Sequence, residues 1–413
     1  MTSPRLEYVP DVGRPAASSS GWRPLQRGSG QVEPFTRLAR THALSSAGDA
    51  LVAIALAGSL FFSISPDAAR TRVALYLIFT MAPFAVIAPL IGPLIDRYSS
   101  GRRGMVLVSL VLRCVLCLLM ADHIHGLLLF PLAFGALVLG KAYGVARASI
   151  VPAVVADDRE LVQANAKLTL ISGLVGFAVS IPGVALLQLS AAWVVLLGAV
   201  VFGVGAFLGF QIPAIRASPP ATPDERAELR GVGVRLAASA MAVLRAAVGF
   251  LAFLLAFSLR AEDAPAWWFG VILGLSAAGA LVGAAVAPPL RRWVREEGIL
   301  LGSLIAVTLA AVVALQMGGR PGAAMLGAFV GIAASAGRLC FDAIVQRDAP
   351  DADRARSFAR FETRFQLAWV IGAFIPVILT MPRTAGFVVL AVTTTVAAAT
   401  YATGRRRPWE RWV

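Results

Sequence analysis

Seven ionisable side chains stand inside otherwise apolar stretches of this chain: Asp49, Arg113, Lys141, Arg147, Arg245, Arg338 and Asp342. A charge in an apolar medium is costly, so each needs a counter-charge, a water-filled cavity or a function. Asp49 lies in the segment SSAGDALVAIAL, and Arg113, Lys141 and Arg147 follow on later apolar runs. A carboxylate facing a water-filled cavity can carry a proton, because desolvation favours its neutral form and an approaching cation its charged form. The alternative makes Asp49 a permanently ionised partner of a neighbouring arginine or of a helix end. Arg338 and Asp342 stand four residues apart, which puts them on one helical face as an ion pair rather than a substrate clamp.

Bond-breaking chemistry finds no constellation. The sequence holds no G-x-x-x-x-G-K-[ST] phosphate loop and no His-Glu-x-x-His pattern, and its three histidines suggest no Ser/His/Asp set. His123 and His125 fall in a short polar gap and read as surface residues. Cys114, Cys117 and Cys340 are an odd number inside apolar stretches, with no second Cys pair or nearby His to complete a tetrahedral metal site. They read as packing residues. The expectation is therefore no enzyme, no metal and no cofactor; with no ATP site, the charged positions Asp49, Arg113 and Lys141 offer a protonatable route and point to a proton gradient as the energy source.

The elements that must position these charges follow from composition. Hydrophobic residues are 58% of the chain, charged residues 15%, and mean hydropathy is +0.76, against about 45–50% apolar and about 25% charged in soluble domains. One anchor helix on a soluble domain cannot give that average. Twelve apolar segments of spanning or near-spanning length run at about 43–62, 73–94, 105–121, 127–151, 168–189, 193–212, 236–259, 267–290, 299–317, 323–345, 365–381 and 386–401. Runs this long, rich in Ala, Leu, Val and Gly, satisfy their backbone in lipid as helices, and the alternating ten-residue strands of a barrel are missing.

Net charge is +14, and only Lys141 and Lys167 among the 37 basic residues are lysines. With the N-terminus in the cytoplasm, 27 of the 37 fall in cytoplasmic segments, 5 in outer segments and 5 within spans. That bias places both termini in the cytoplasm of a multi-pass protein of the cytoplasmic membrane. It also removes the nucleic-acid partner that +14 would suggest, since no single basic groove forms. Residues 1–34, rich in Ser, Pro, Gly and Arg, read as a disordered cytoplasmic tail. A six-helix bundle over 35–213 is followed by a polar linker at 214–235, a second bundle over 236–404 and a basic tail at 405–413. The halves echo each other at an offset near 195, which pairs Arg147 with Asp342 and Asn165 with Arg360.

The most specific motif is GPLIDRYSSGRR, from Gly92 to Arg103. It resembles the loop between the second and third helices of the major facilitator superfamily. In that family a Gly is followed four residues later by Asp-Arg and then by a Gly with a basic pair, here Gly92, Asp96, Arg97, Gly101, Arg102 and Arg103, with Ser99 and Ser100 interposed. The resemblance implies a gate that latches the cytoplasmic side closed and releases as the halves rock. The equivalent gap in the second half, GAAVAPPLRRWVREEG, has Arg291 and Arg292 but no Asp-Arg pair. The stretch from Gly140, GKAYGVARASIVPAVVADDRELVQANAKL, is similar to the fourth-helix pattern of the drug-exporter-like branch. By that resemblance Lys141 stands where the family often places an arginine linked to proton coupling. GLVGFAVSIPGVAL is similar to the Gly-Pro bend of antiporters, with Gly176, Pro182 and Gly183 present and Ile181 in place of a Gly.

Together these features imply an all-α integral membrane fold of twelve helices in two pseudo-symmetric bundles. The implied function is proton-coupled efflux of a drug or metabolite by alternating access, by a monomer embedded in membrane lipid. Asp49, Arg113, Lys141 and Arg147 are the candidate proton-coupling and substrate residues. Uptake or facilitated diffusion of a polar solute, lipid flipping, and a membrane sensor that does not transport stay open as alternatives.

Overall fold

The computed structural model describes residues 33–60, 101–213, 232–348 and 354–406, apart from positions 125, 127, 156, 158, 159 and 266. The second apolar run, Gly92, Asp96, Arg97 and residues 1–32 and 407–413 of the two tails lie outside the described residues, while Pro34 and Arg405 are helical.

Eleven α-helices and no strands occur among the described residues. They are α1 (Pro34–Leu60), α2 (Gly101–Asp122), α3 (Leu129–Val154), α4 (Leu161–Leu187) and α5 (Ala191–Gly209), then α6 (Val232–Ala261), α7 (Trp267–Arg291), α8 (Glu296–Met317), α9 (Gly319–Asp348), α10 (Arg354–Ile378) and α11 (Arg383–Arg406). The ten helices α2–α11 are each long and apolar enough to cross a membrane.

Several helices outrun the apolar segments that announce them. Lys167 is on α4, Arg235 on α6, Arg347 on α9, and Arg360 and Arg364 on α10, although the sequence tally puts all five in connecting segments. Hydropathy marks only the part of a helix at membrane depth, while the backbone ladder continues through a polar turn or two at the interface.

The packing is pseudo-symmetric. In the first half α1 packs on α4 and α5, and α2 on α3 and α5; in the second half α6 packs on α10 and α11, and α8 on α9 and α11. The halves meet through α3 against α10 and α4 against α9, two crossings that exchange under the same symmetry, and also through α4 against α7. Ala142, Val145 and Ala148 of α3 join the apolar core of the second half, while Ala336, Leu339 and Cys340 of α9 join that of the first.

Two second-half crossings depend on glycine. A Cβ at Gly249 would collide with the carbonyl of Trp369, and one at Gly372 with the carbonyl of Ala246, so α6 and α10 touch backbone to backbone in both directions. Gly279 and Gly331 do the same for α7 and α9, against the carbonyls of Ala328 and Ser276. In lipid no hydrophobic force draws helices together, and such small-residue seams supply dispersion contact instead.

Candidate functional site

His42, Ser45, Ser46 and Asp49 follow the i, i+3, i+4, i+7 spacing that places residues on one helical face, and they form a polar stripe along α1. Two arginines of the neighbouring helices meet this stripe in different ways.

Arg113 of α2 is fully buried. Its Nη1 donates to Asp49 Oδ1 at 2.6 Å, its Nη2 to Ser45 Oγ at 2.9 Å, and its Nε to the Ser109 carbonyl oxygen at 3.2 Å. The rings of Phe202 and Tyr143 flank the guanidinium, with centroids 4.4 and 5.2 Å from Cζ. Its three nitrogens and its charge are therefore matched. Asp49 differs, with 52% of its side chain exposed against 0% for Arg113. Gly140 of α3 faces the pair, its Cβ position 3.8 Å from both Arg113 Nη1 and Asp49 Oδ1.

Arg147 of α3 meets His42 instead of a carboxylate. His42 Nε2 lies 2.8 Å from Arg147 Nη1 and 2.7 Å from Ser172 Oγ, and its Nδ1 lies 3.3 Å from the Tyr143 hydroxyl. A guanidinium only donates, so Nε2 holds the lone pair and Nδ1 the proton. Ser46 Oγ lies 2.9 Å from Ser172 Oγ and joins α1 to α4.

The ionisable groups of the second half face the first across the junction. Arg338 of α9 donates from Nε to Asp342 Oδ1 at 2.8 Å, and its Nη1 pairs with Glu362 Oε2 of α10 at 2.9 Å. Lys141 Nζ lies 3.9 Å from Glu362 Oε1. Lys141, Arg147, Arg338 and Glu362, with Gly144 and Phe358, line a cavity of about 170 Å³ between the halves. The Nε atoms of Arg147 and Arg245 are buried and have no hydrogen-bond partner among the described residues.

One end of this junction is sealed. Asn165 Nδ2 at the start of α4 donates to Gln346 Oε1 near the end of α9 at 2.6 Å, and Gln346 Nε2 donates to the Ala148 carbonyl oxygen of α3 at 3.0 Å. Asn165 and Gln346 are both buried. Arg102 is buried beside them on α2, with Nη1 3.4 Å from the Ser149 carbonyl oxygen. Gly101 opens α2 and Arg103 follows, partly exposed. In the second half Arg347 spans Glu296 at 3.3 Å and Glu297 at 3.1 Å, and Arg291 pairs with Glu296 at 2.6 Å. Glu296 and Glu297 at the start of α8 thus bind Arg291 of that gap and Arg347 of α9.

The remaining sequence candidates are on α4, which runs through Pro182 as one helix. Gly183 packs against Leu51 and Ile54 of α1, while the Cβ position of Gly176 opens onto empty space. The structure brings Asp49 to Arg113 and Arg338 to Asp342, and it places Lys141 and Arg147 on the cavity between the halves. Sequence reasoning passed over His42, Glu362 and Gln346, and named Asn165 only as the repeat partner of Arg360. The helical spacing within HALSSAGD was a usable signal for His42; Glu362, amid the arginines and aromatics of RARSFARFETRF, carried none.

The profile of the Major Facilitator Superfamily matches residues 39–373. An uncharacterized protein of Mycobacterium leprae is 30% identical over 383 residues, covering 82% of this chain and 66% of that protein, and one of Mycobacterium tuberculosis is 30% identical with 82% and 68% covered. The chain thus spans about two thirds of the length of these relatives. Among solved structures, an outward-facing bacterial homologue of the iron transporter ferroportin superposes with a TM-score of 0.73 at 16% identity, covering 91% of this chain and all of that one. The human organic anion transporter MFSD10 gives 0.71 at 15% identity, with 90% and 100% covered. The transporter FucP in its outward conformation gives 0.67 at 14%, with 90% and 98% covered. These structures share the twelve-helix fold of two six-helix bundles, and with the profile matched over most of its length the chain belongs to the Major Facilitator Superfamily.

Proposed function

We propose that this membrane transporter is a proton-coupled exporter of a small molecule, working by alternating access as a monomer in the plasma membrane with both termini in the cytoplasm. The observation that carries the coupling is the half-exposed Asp49 carboxylate against the wholly buried Arg113. A proton that binds Asp49 weakens its hold on Arg113, and a substrate or a second cation that draws on the same groups expels the proton. His42 offers a second place of this kind, because a proton arriving at Nε2 competes with Arg147 for the same lone pair. Proton binding and the packing of α1, α2 and α3 are therefore linked through shared hydrogen bonds.

In this reading the sealed junction end is the cytoplasmic side, and Asn165 and Gln346 close it together with the gate formed by Gly92, Asp96, Arg97, Gly101, Arg102 and Arg103. Export is favoured by the resemblance of the Gly176, Pro182 and Gly183 segment to antiporter helices and by the Ala- and Leu-rich walls of the helices. The structural relatives carry iron, fucose or organic anions in their own names, so their likeness does not choose a cargo.

The test compares small molecules inside cells and in their medium for the intact gene, a deletion and an Asp49→Asn variant. One compound should build up inside the deletion strain, and the variant should behave in the same way. A compound that instead stays in the medium of the deletion strain would make the protein an importer.

A further inference from the structure

We infer that the cavity between the halves binds its cargo as an anion, through a carboxylate or phosphate group held by Arg147 beside Lys141 and Arg338. The inference rests on the transport reading above and names the charge of what is carried. Three cations and one carboxylate line the cavity: Lys141, Arg147 and Arg338 against Glu362. Widening the circle to Arg245, which acts electrostatically on the same cluster from α6, and to Asp342 gives four cations and two carboxylates. Arg338 is paired with Asp342 and Glu362 and Lys141 faces Glu362, so the cations with no carboxylate partner among the described residues are Arg147 and Arg245. The Asp49 and Arg113 pair is neutral as a unit and changes neither total.

The arrangement is costly without an occupant. Charges at membrane depth normally pair with one another, and leaving one partner out costs several kcal/mol per ion after relaxation. Arg338 is fully engaged by Asp342 and Glu362, whereas Arg147 contacts a neutral imidazole and keeps a buried Nε with nothing to donate to. A guanidinium in that state presents the planar fork that fits a carboxylate or phosphate. The cavity of about 170 Å³ is smaller than the roughly 300 Å³ at which drug-sized pockets begin, so it suits a small solute or the head group of a larger one. A cationic or neutral cargo would leave the excess charge unanswered.

The experiment measures binding to the purified full-length protein in detergent free of phospholipid, with succinate and inorganic phosphate as anionic probes and tetraphenylphosphonium as the cationic one. The anions should bind and raise the thermal midpoint. Arg147→Gln should weaken that binding by at least about tenfold, the loss of one charge-assisted contact. Glu362→Gln should tighten it, a sign that a merely structural role for Glu362 does not give, since Arg338 keeps Asp342. Arg245→Met should raise the midpoint of the unliganded protein while lowering the gain that phosphate brings. Failure of both soluble anions, followed by a midpoint gain in nanodiscs containing phosphatidylglycerol over phosphatidylcholine alone, would assign the anionic group to a lipid and support the charge. Binding of tetraphenylphosphonium in preference to all anions, or anion binding indifferent to Arg147→Gln and Glu362→Gln, would overturn it. Anion binding in a protein whose reconstituted form shows no pH-driven flux would sink proton-coupled export and leave the anion site standing. Proton-driven flux of the cationic probe would do the reverse.

Discussion

Arg113 and Arg147 are both arginines of the first half, the one fully buried and the other partly, and their surroundings differ in kind. Arg113 has a carboxylate, a hydroxyl, a carbonyl and two aromatic faces, while Arg147 has one neutral imidazole and a buried Nε with no acceptor among the described residues. The first site is complete within one bundle, so a proton on Asp49, rather than a movement of the other half, is what loosens it. The second opens on the surface where the halves meet, so its missing partner has to come from the other half or from a ligand. What separates the two arginines is how complete their sets of partners are.

The largest effect that would break this contrast is the removal of Asp49. Asp49→Ala leaves the Arg113 charge buried without its carboxylate and should lower stability by about 3 kcal/mol, the low end for breaking a buried pair, because water can enter where Asp49 was exposed. Thermal denaturation in detergent checks it. Arg113→Lys keeps the charge and loses the fork, with its contacts to Ser45 and Ser109, so a loss of about 2 kcal/mol is expected in the same measurement.

At the sealed end Asn165→Ala leaves the Gln346 amide short of a partner and should weaken closure by about 1 kcal/mol. It is read as faster labelling, by a thiol reagent, of a cysteine introduced near the Ala148 carbonyl. The smallest effect is that of Arg147→Gln, expected within about 1 kcal/mol of the unsubstituted protein, since the amide can still donate to His42 and one uncompensated charge is gone.

The fold was legible because lipid leaves helices few alternatives, and long Ala- and Leu-rich runs announced each span from α2 to α11. Helix ends were less legible. Charged turns such as those holding Arg235 and Arg360 lie beyond membrane depth, where hydropathy has no say. Of the site, the ion pair of Arg338 and Asp342 could be read from a spacing of four within one helix, and Asp49 stood out as a charge in an apolar run. What could not be read was any contact between distant segments. Asn165 and Gln346 are 181 positions apart, and nothing local in either segment points to the other. Glu362 was hidden by its neighbours, because a carboxylate among several arginines looks like a solvated face until the fold turns it to Lys141 and Arg338.

The most direct test of the contrast is to follow the thermal midpoints of the full chain, Asp49→Ala and Arg147→Gln together, with and without inorganic phosphate. The account predicts a large fall for Asp49→Ala that phosphate still partly offsets, and for Arg147→Gln a midpoint close to that of the unsubstituted chain that phosphate no longer raises. Equal falls for both variants, with the phosphate effect preserved in Arg147→Gln, would contradict the division between a site completed within its own bundle and an open binding one.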